Sequence, residues 1–235
     1  MQGILFQTYP GAMEVPVPAG IDRSTSVLHG RDGEAIVTLL NIHCETITPR
    51  ILDCTHNKGT MWSGLQMNVV RMDISDEFEV DVVGDFRAMP FPDRAFDVVV
   101  FDPPHLPDDA GKTCRHHDAY NVGNTGLGMD GDCVSAIFTP FLLEAKRVLR
   151  PGGIVLAKIA DLVHNHRQQW QQVDFVNAVR AAGMTPCDML IKIDPSAGML
   201  SDPRWKNVKH LRKAHCYWIV VRNSSRCESH RHSKS

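Results

Sequence analysis

The sequence lacks the features that mark membrane-spanning, secreted and strongly basic proteins. No apolar run approaches the ~20 residues that a membrane helix needs, and no basic start followed by an apolar core predicts a signal peptide. The seven cysteines are an odd number and none forms a Cys-x-x-Cys pair, which favours a reduced, cytoplasmic protein. The formal net charge of −2 means that any attraction to phosphate groups must be local.

Two further sequence patterns are absent, and each absence argues against a class of protein. No Gly-x-x-x-x-Gly-Lys-Ser/Thr pattern is present, which argues against a nucleotide triphosphatase, and no internal repeat indicates a solenoid. The 235 residues, 43% of them apolar, are enough for one large α/β domain with a full core. We therefore expect a single domain over residues 1–222 and a disordered tail over 223–235.

The chain is organised around the stretch from Asp97 to His105. Its apolar run predicts a strand that is buried on both faces, and the following Asp102-Pro103-Pro104-His105 turn ends it because proline cannot continue a ladder. In open α/β sheets, ligands bind at the carboxyl ends of strands. There, Asp102 and the Pro103 carbonyl could accept hydrogen bonds from an amine and stabilise positive charge on it, while the His105 ring could stack on a base. An ordinary strand-ending turn is the alternative.

Other segments alternate between strand and helix patterns. Residues 1–30 show no period and predict an irregular arm. The strands that we predict besides the central one are Pro49–Asp53, Val69–Asp73, Val80–Phe86, Ile154–Ile159, Met189–Ile193 and His215–Val221. The predicted helices are residues 32–46, a helix from Met61 onward, Ser135–Leu149 and Trp170–Ala182.

Candidate ligand-binding residues follow the first two strands. The Cys54–Thr60 loop lies between a predicted strand and a predicted helix, a geometry that aims backbone N–H groups at a ligand. Asp73 ends the second strand, where an acid commonly takes the ribose hydroxyls of a nucleoside. A solvated loop acid is the alternative reading of Asp73.

Two long segments could contact a large substrate. Residues 106–131 follow the Asp-Pro-Pro-His turn and could form a lid over a flipped base. Their Cys114, His116 and His117 match no standard zinc spacing, so we predict no metal. Residues 194–214 carry basic residues beside an aromatic one, which suits a nucleic-acid backbone but equally a solvated face. The candidate nucleic-acid contacts are Arg204, Lys206, Lys209, Arg212 and Lys213.

Four stretches of the chain together resemble S-adenosylmethionine (SAM) methyltransferases. Asp102-Pro103-Pro104-His105 resembles the Asp-Pro-Pro-aromatic motif of the amino-methyltransferases that act on adenine N6 or cytosine N4, with His105 where that family has Tyr, Phe or Trp. The runs Gly84–Val100 and Leu149–Gly153 resemble generic class I patterns. The closing run His215–Val221 is similar to the last strand of many DNA amino-methyltransferases, with Cys216 in place of an acid.

The resemblance implies a fold and a cofactor. The fold is a three-layer, Rossmann-like α/β sandwich with a seven-stranded, mostly parallel sheet, strand order 3-2-1-4-5-7-6 and a reversed last strand. The implied cofactor is SAM. Asp73 would accept hydrogen bonds from its ribose hydroxyls, Asp85 would accept one from its adenine amine, and Phe86 would pack against the adenine ring. The first loop then contributes Asp53, Cys54, Thr55, Asn57 and Gly59, although Gly59 is its only glycine where the family has several.

The resemblance also implies a reaction. Asp102 and Pro103 would hold an exocyclic amine of a nucleobase while the amine attacks the SAM methyl, with DNA as the expected nucleic acid. Since only residues 106–131 and 194–214 could recognise sequence, recognition would be short, or a partner protein would supply it. A small-molecule or RNA methyltransferase and a non-catalytic protein of the same fold remain alternatives.

Overall fold

The computed structural model describes residues 14–16, 25–103, 134–164, 167–193, 210–211 and 213–223, which form an α/β sandwich. Its strands are β1 (Val27–His29), β2 (Ile51–Asp53), β3 (Val69–Asp73), β4 (Val82–Val83), β5 (Phe96–Phe101), β6 (Leu149–Ile159), β7 (Leu162–His164), β8 (Arg167–Gln169), β9 (Thr185–Ile193) and β10 (His215–Arg222). Its helices are α1 (Asp32–His43), α2 (Phe138–Val148) and α3 (Gln171–Ala181), with short 3₁₀ turns at Thr60–Trp62 and Val134–Ile137.

Eight strands form one mixed sheet in the order β1-β9-β10-β6-β5-β2-β3-β4. Strand β10 runs antiparallel to both β6 and β9, and the other neighbours in this sheet are parallel. Counted from β2 as the first core strand, the core order is the predicted 3-2-1-4-5-7-6. The mostly parallel sheet with a reversed last strand is therefore confirmed. Strands β7 and β8, which the sequence did not predict, form a separate hairpin.

The eighth strand, β1, lies in the segment that we predicted to be irregular. Val27 pairs with Ile191 in parallel, and the Ile191 N–H donates to the Ser26 carbonyl at 2.7 Å. Without β1, strand β9 would leave an open row of backbone groups at the sheet edge, which native sheets usually cover. Three residues are too short for an alternating pattern to reveal this strand.

The period of two along each strand divides the core into two layers. Val98 and Val100 of β5 point to the face that α1 covers, whereas Val99 points to the face covered by α2 and α3. Helix α1 contributes Ile36, Leu39 and Leu40 to its layer. The buried phenylalanines lie on the other side, where Phe101 of β5 stacks on Phe141 of α2 with 3.6 Å between ring centroids. None of the described helices has the length and apolar character needed to cross a membrane.

The predicted helix from Met61 onward is wrong. The chain makes a single 3₁₀ turn at Thr60–Trp62 and then continues without a helix to β3. Gly64 has φ +79°, which interrupts right-handed helical geometry. The Trp62 indole N–H also turns inward to donate to Asp53 Oδ2 at 2.6 Å. A tertiary contact therefore replaces the local helix here.

Other boundaries differ by a few residues. Helix α1 ends at His43 instead of residue 46, β4 shrinks to two residues, and β9 begins at Thr185 instead of Met189. The Leu149–Gly153 segment, expected as a turn into a strand, is already part of β6. These shifts leave the order of elements unchanged.

Candidate active site

The candidate site lies at the carboxyl edge of the parallel strands. Asp53 ends β2, Asp73 ends β3, and Asp102 directly follows β5. Strand β2 lies between β5 and β3, with Asp53 beside Val100 on one side and Arg71 on the other. The predicted acids of these three strands therefore share one edge of the sheet.

Asp53 is fully buried and its carboxylate organises the loop that follows it. Its Oδ2 lies 2.8 Å from His56 Nδ1 and accepts the Trp62 indole N–H, while Oδ1 accepts the Thr55 N–H at 3.3 Å. A carboxylate only accepts hydrogen bonds, so His56 Nδ1 carries the proton in this arrangement. These contacts show Asp53 stabilising the loop from within the protein.

The backbone N–H groups of the first loop differ from the expectation. All six from residue 54 to residue 59 already donate to acceptors within the protein, so they are not left pointing at a ligand as predicted. Their acceptors are the Val100 carbonyl for Cys54, Asp53 for Thr55, the Met72 carbonyl for His56, Asp73 for Asn57, the Asn57 side chain for Lys58 and the His56 carbonyl for Gly59.

Gly59 and Cys54 have packing roles in the same loop. Gly59 adopts φ +61°, and a Cβ there would lie 2.5 Å from His56 Nε2, so neither the backbone nor the space admits a side chain. The Cys54 thiol lies 3.2 Å from the Val100 carbonyl oxygen and is buried. Burial raises the pKa of this thiol well above its ordinary value, as do the nearby charges of Asp53 and Asp73, so Cys54 stays protonated.

Asp73 ties the first loop to the end of β3. Its Oδ2 accepts the Asn57 N–H at 2.8 Å and its Oδ1 accepts the Ser75 N–H at 3.0 Å. The side chain remains half-buried. The structure thus joins two of the predicted cofactor residues, Asn57 and Asp73, by a direct hydrogen bond.

Asp85, two residues beyond β4, is paired with Arg87. The Arg87 Nε and Nη2 atoms donate to the carboxylate at 2.6–3.0 Å, and the Arg87 N–H adds a bond at 2.8 Å. Burial alone would raise the pKa of Asp85, but the hydrogen bonds and charge of Arg87 outweigh it and hold the pKa below its ordinary value. The Phe86 ring is buried against Phe101, edge to face, with centroids 5.2 Å apart.

Asp102 is held from two sides. Its backbone N–H donates to Thr55 Oγ1 at 2.8 Å, so the central strand's turn is bonded directly to the first loop. Its Oδ2 accepts from Lys158 Nζ at 2.9 Å. Pro103 is buried beside it. The predicted catalytic and cofactor residues Asp102 and Thr55 are therefore neighbours.

Lys158 connects Asp102 to a larger group of charges, which we call the Asp102–Lys158 network (Asp32, Asp102, Lys158 and Lys192). Lys158 Nζ also donates to Asp32 Oδ2 at 3.2 Å, and Asp32 Oδ1 accepts from Lys192 Nζ at 3.0 Å. The Trp218 indole N–H donates to the same Asp32 oxygen at 3.2 Å. Two acids and two lysines alternate, so their formal charges cancel.

The register of the sheet explains why this network forms. Val100 pairs with Leu156 and Phe101 with Ala157, so Asp102 and Lys158 are the next residues along the same two strands. Both continue the alternation that points toward the α1 layer. Lys158 also pairs across the sheet with Trp218 of β10, and Asp32 reaches them from the first turn of α1.

The charges of the network reinforce one another. Burial alone would lower the pKa of the Lys158 ammonium, but Asp102 and Asp32 outweigh it and raise that pKa well above its ordinary value. Lys158 is therefore a permanent cation. The neighbouring Cys216 thiol has its pKa raised to about 11, chiefly by burial.

Several predicted site residues lie outside the described residues. They are Pro104, His105, Arg204, Lys206, Lys209 and Arg212, together with residues 106–131 that include Cys114, His116 and His117. Lys213 is described; burial raises the pKa of the nearby Asp161 carboxyl, and the charge of Lys213 opposes that rise. Within the described ranges, no group of three or more His, Cys, Asp or Glu side chains is placed to hold a metal ion.

The sequence reasoning missed Lys158, Lys192 and Asp32. A signal was present, because Lys158 interrupts the apolar run Ile154–Ile159 at an inward position after Ile154 and Leu156. A lysine at an inward position of a core strand needs a carboxylate partner. Asp32 gave only the weaker signal of an acid in the first turn of a helix.

The sequence comparisons give no relative. No protein-family model matches the chain, and no curated protein sequence matches it. Similarity is found in solved structures. A proposed sarcosine dimethylglycine methyltransferase from Galdieria sulphuraria has 12% identity and a TM-score of 0.50, over 82% of this chain and 85% of that one.

Two further structures are similar at lower TM-scores. A proposed methyltransferase from Bacillus halodurans has 15% identity and a TM-score of 0.49, over 81% of this chain and 99% of that one. A proposed DNA modification methylase from Thermus thermophilus, complexed with SAM, has 18% identity and a TM-score of 0.38 over 59% of this chain. This chain covers 51% of the methylase. The likeness to the Galdieria sulphuraria structure shows the fold alone, the three-layer Rossmann-like sandwich.

Proposed function

We propose that this chain is a SAM-dependent methyltransferase that methylates an exocyclic amine of a nucleobase, adenine N6 or cytosine N4, in DNA. The observation that carries the proposal is the placement of Asp102. It follows the central strand, its N–H bonds to Thr55 of the first loop, and its carboxylate is held by Lys158. An acceptor fixed beside a cofactor loop is what amine methylation requires.

The acids of the sheet edge support SAM as the cofactor. Asp73 at the end of β3 and Asp85 beyond the neighbouring strand β4 are half-buried carboxylates, suited to ribose hydroxyls and to an adenine amine respectively. For Asp85 to bind an amine, Arg87 must release part of its contact. When bound, SAM supplies a sulfonium-activated methyl group. The solved structures of the same fold include one complexed with SAM.

Asp102 would act on the amine in this proposal. Its carboxylate and the Pro103 carbonyl accept N–H bonds from the amine, which draws the nitrogen lone pair out of conjugation with the base. The same acceptors stabilise the positive charge that grows on nitrogen during attack. His105 would stack on the base after it leaves the helix, a step that costs a few kcal/mol.

Substrate recognition in the proposal falls to residues 106–131 and 194–214. The five basic residues Arg204, Lys206, Lys209, Arg212 and Lys213 would contact phosphates. With so little chain for base contacts, we propose short recognition or a partner protein that supplies it. A DNA substrate and buried cysteine thiols such as Cys54 agree with a cytoplasmic location.

One observation favours a second candidate, a non-catalytic protein of the same fold. The six loop N–H groups from residue 54 to residue 59 already have acceptors, so the loop offers a cofactor fewer donors than a glycine-rich loop would. Isothermal titration with SAM separates the two. Measurable SAM binding supports the methyltransferase, and its absence supports the second candidate.

Transfer from methyl-tritiated SAM tests the reaction itself. The protein is incubated with unmethylated DNA, total RNA or a small-metabolite extract, and the labelled product is digested and identified. We expect label in DNA as N6-methyladenine or N4-methylcytosine. Label in RNA or in small metabolites alone would contradict the proposed substrate.

Replacement of Asp102 tests the proposed acceptor. Asp102→Ala should lower the transfer rate by about 100-fold or more, as loss of one transition-state hydrogen-bond partner does elsewhere, and leave SAM affinity nearly unchanged. Asp93→Ala is the matched control, because this exposed carboxylate precedes β5 at the opposite edge of the sheet. A near wild-type rate for Asp102→Ala would rule out its role.

A further inference from the structure

The Asp102–Lys158 network contains two features that the proposed reaction does not by itself require. The first is a lysine with only 18% of its side chain exposed, placed by strand register beside Asp102. The second is Asp32, which binds both Lys158 and Lys192. Removing one partner of a largely buried ion pair leaves an uncompensated charge, so such pairs hold their geometry more firmly than surface pairs.

The network reaches Asp102 from four separate elements. Lys158 stands on β6, Asp32 begins α1, Lys192 lies on β9 and Trp218 on β10. The titratable groups that face Lys158 are Asp102, Asp32 and the protonated Cys216 thiol. A carboxylate braced in this way has little freedom to rotate or to move away from the sheet edge.

We infer that Lys158 is a positioning residue for the proposed transfer, which holds the Asp102 carboxylate in one orientation and keeps it ionised as a hydrogen-bond acceptor. The inference rests on the proposed function. Asp102 has two conceivable roles, to accept a hydrogen bond from the amine or to take its proton. A carboxylate paired with a permanent cation is a weak base, so the inference assigns Asp102 the role of hydrogen-bond acceptor. The proton that the methylated amine sheds then goes to water instead of Asp102.

The balance of the step agrees with this assignment. The amine nitrogen forms a bond to the methyl carbon, the carbon–sulfur bond breaks, and its electron pair stays on sulfur. The nitrogen becomes positively charged and far more acidic than before, so water is a sufficient acceptor for its proton. Asp102 accepts an N–H bond throughout and does not need to take the proton.

A pH–rate profile of Lys158→Met tests the inference. Single-turnover transfer is measured between about pH 3 and pH 9 with saturating SAM, on the substrate that the wild type methylates, because a carboxylate paired with a cation titrates below its ordinary range. Loss of the Lys158 charge makes the Asp102 carboxylate easier to protonate, so we expect the acidic limb of the profile to move up by about one to three pH units. SAM affinity, measured by titration calorimetry, should stay within about twofold, because Lys158 pairs with Asp102 and Asp32, which are not among the residues proposed to hold SAM.

Two further variants complete the design. Lys192→Met is the matched control, since it removes a buried lysine that binds Asp32 and makes no ion pair with Asp102. It should lower the melting temperature and leave the acidic limb in place. Lys158→Arg retains the charge but changes the shape of the donor, so the limb should stay while the rate falls by about tenfold through misplacement of Asp102.

The outcomes separate the inference from the function on which it rests. If the wild type methylates nothing in any pool, the proposed function and this inference fail together. If the wild type is active and Lys158→Met keeps its acidic limb, only the inference is overturned. Should Lys158→Met fail to fold, Lys158→Arg decides, because a wild-type rate in that variant would show that Lys158 has only a structural role.

Discussion

At the scale of single residues, Asp53 has no exposed surface and still determines the shape of the first loop. Its carboxylate joins the loop backbone at Thr55, the His56 ring and the Trp62 indole. A buried carboxylate needs such partners, since an unsatisfied one costs several kcal/mol. The loop is therefore built around this side chain instead of around glycines.

We expect Asp53→Ala to lower the free energy of unfolding by about 3 kcal/mol, because it leaves the buried hydrogen-bond donors that the carboxylate accepts from without an acceptor. Trp62→Phe removes one of these bonds and should cost about 1–2 kcal/mol. Urea denaturation measures both. The exposed Asp76→Ala is the control, and a loss below about 1 kcal/mol for Asp53→Ala would contradict this role.

The acids of the site were predictable from sequence and their partners were not. Asp73 and Asp102 follow apolar runs, so their place at strand ends could be inferred from pattern alone. Lys158 signalled in the sequence that it needs a carboxylate, but its pairing with Asp102 became visible only in three dimensions, because strand register decides which cation meets which acid. Arg87 lies two residues from Asp85, and only the direction of its side chain was missing from the sequence. The predicted role of Asp85 stays a prediction, since Arg87 now occupies its carboxylate.

At the scale of elements, the start of α3 depends on a side chain from outside the helix. Asp161, between β6 and β7, accepts the Gln172 N–H of the first helical turn at 3.2 Å. Burial raises the pKa of this carboxyl above its ordinary value, against the opposing effects of the Gln172 bond and the charges of Lys213 and His215. The helix is thus capped by a carboxyl that is reluctant to ionise.

This raised pKa predicts a pH-dependent effect of Asp161→Asn. The folded protein resists ionisation of Asp161 more than the unfolded chain does, so the wild type loses stability as pH rises through the unfolded pKa, near 3.9. The asparagine keeps an acceptor for Gln172 and does not ionise. The stability of the variant relative to wild type should therefore increase as pH rises from the unfolded pKa through the raised folded pKa. Urea denaturation at each pH measures the difference, and a constant or falling difference would contradict the account.

The first loop shows where element prediction from sequence ends. The strand and the Cys54–Thr60 loop led us to predict a helix from Met61 onward. Instead, the Trp62 indole N–H donates to Asp53, and the chain turns at Gly64. A long-range contact of this kind has no local pattern, whereas α2 and α3, with apolar residues at helical spacing, were predicted within a few residues.

At the scale of the whole molecule, the charge is nearly balanced, and Asp32 and Asp102 are matched by Lys158 and Lys192. Electrostatic affinity for DNA would then depend on a local set of positively charged side chains. The set that we propose has five members over residues 204–213. This limits how strongly binding can depend on salt.

The slope of log affinity against log salt should be no steeper than about −4.5, or −0.9 for each of five phosphates. Fluorescence anisotropy with a labelled duplex measures it. The double variant Lys206→Ala/Lys209→Ala should make the slope shallower by about 2, whereas the control Lys146→Ala, on α2, should not change it. A much steeper slope would require cations elsewhere on the surface.

The topology of the whole sheet was predicted better than any single site. The apolar runs predicted the core strands, whereas their order and the reversed last strand were predicted from the family resemblance alone. Strand β1 was not predicted because its three residues are too few to show an alternating apolar pattern. The β7–β8 hairpin was not predicted because most of its residues are polar. The fold is encoded redundantly along the chain, whereas a site depends on a few unique contacts.

The central claim is that Asp102 faces the sulfur of the bound cofactor across a space that an amine can fill. A crystal structure with S-adenosylhomocysteine tests it most directly. We expect the ribose near Asp73 and the sulfur turned toward Asp102, with a space between them that allows an amine to approach to about 3–3.5 Å. A sulfur turned away from Asp102, or a ligand at another edge of the sheet, would contradict the account.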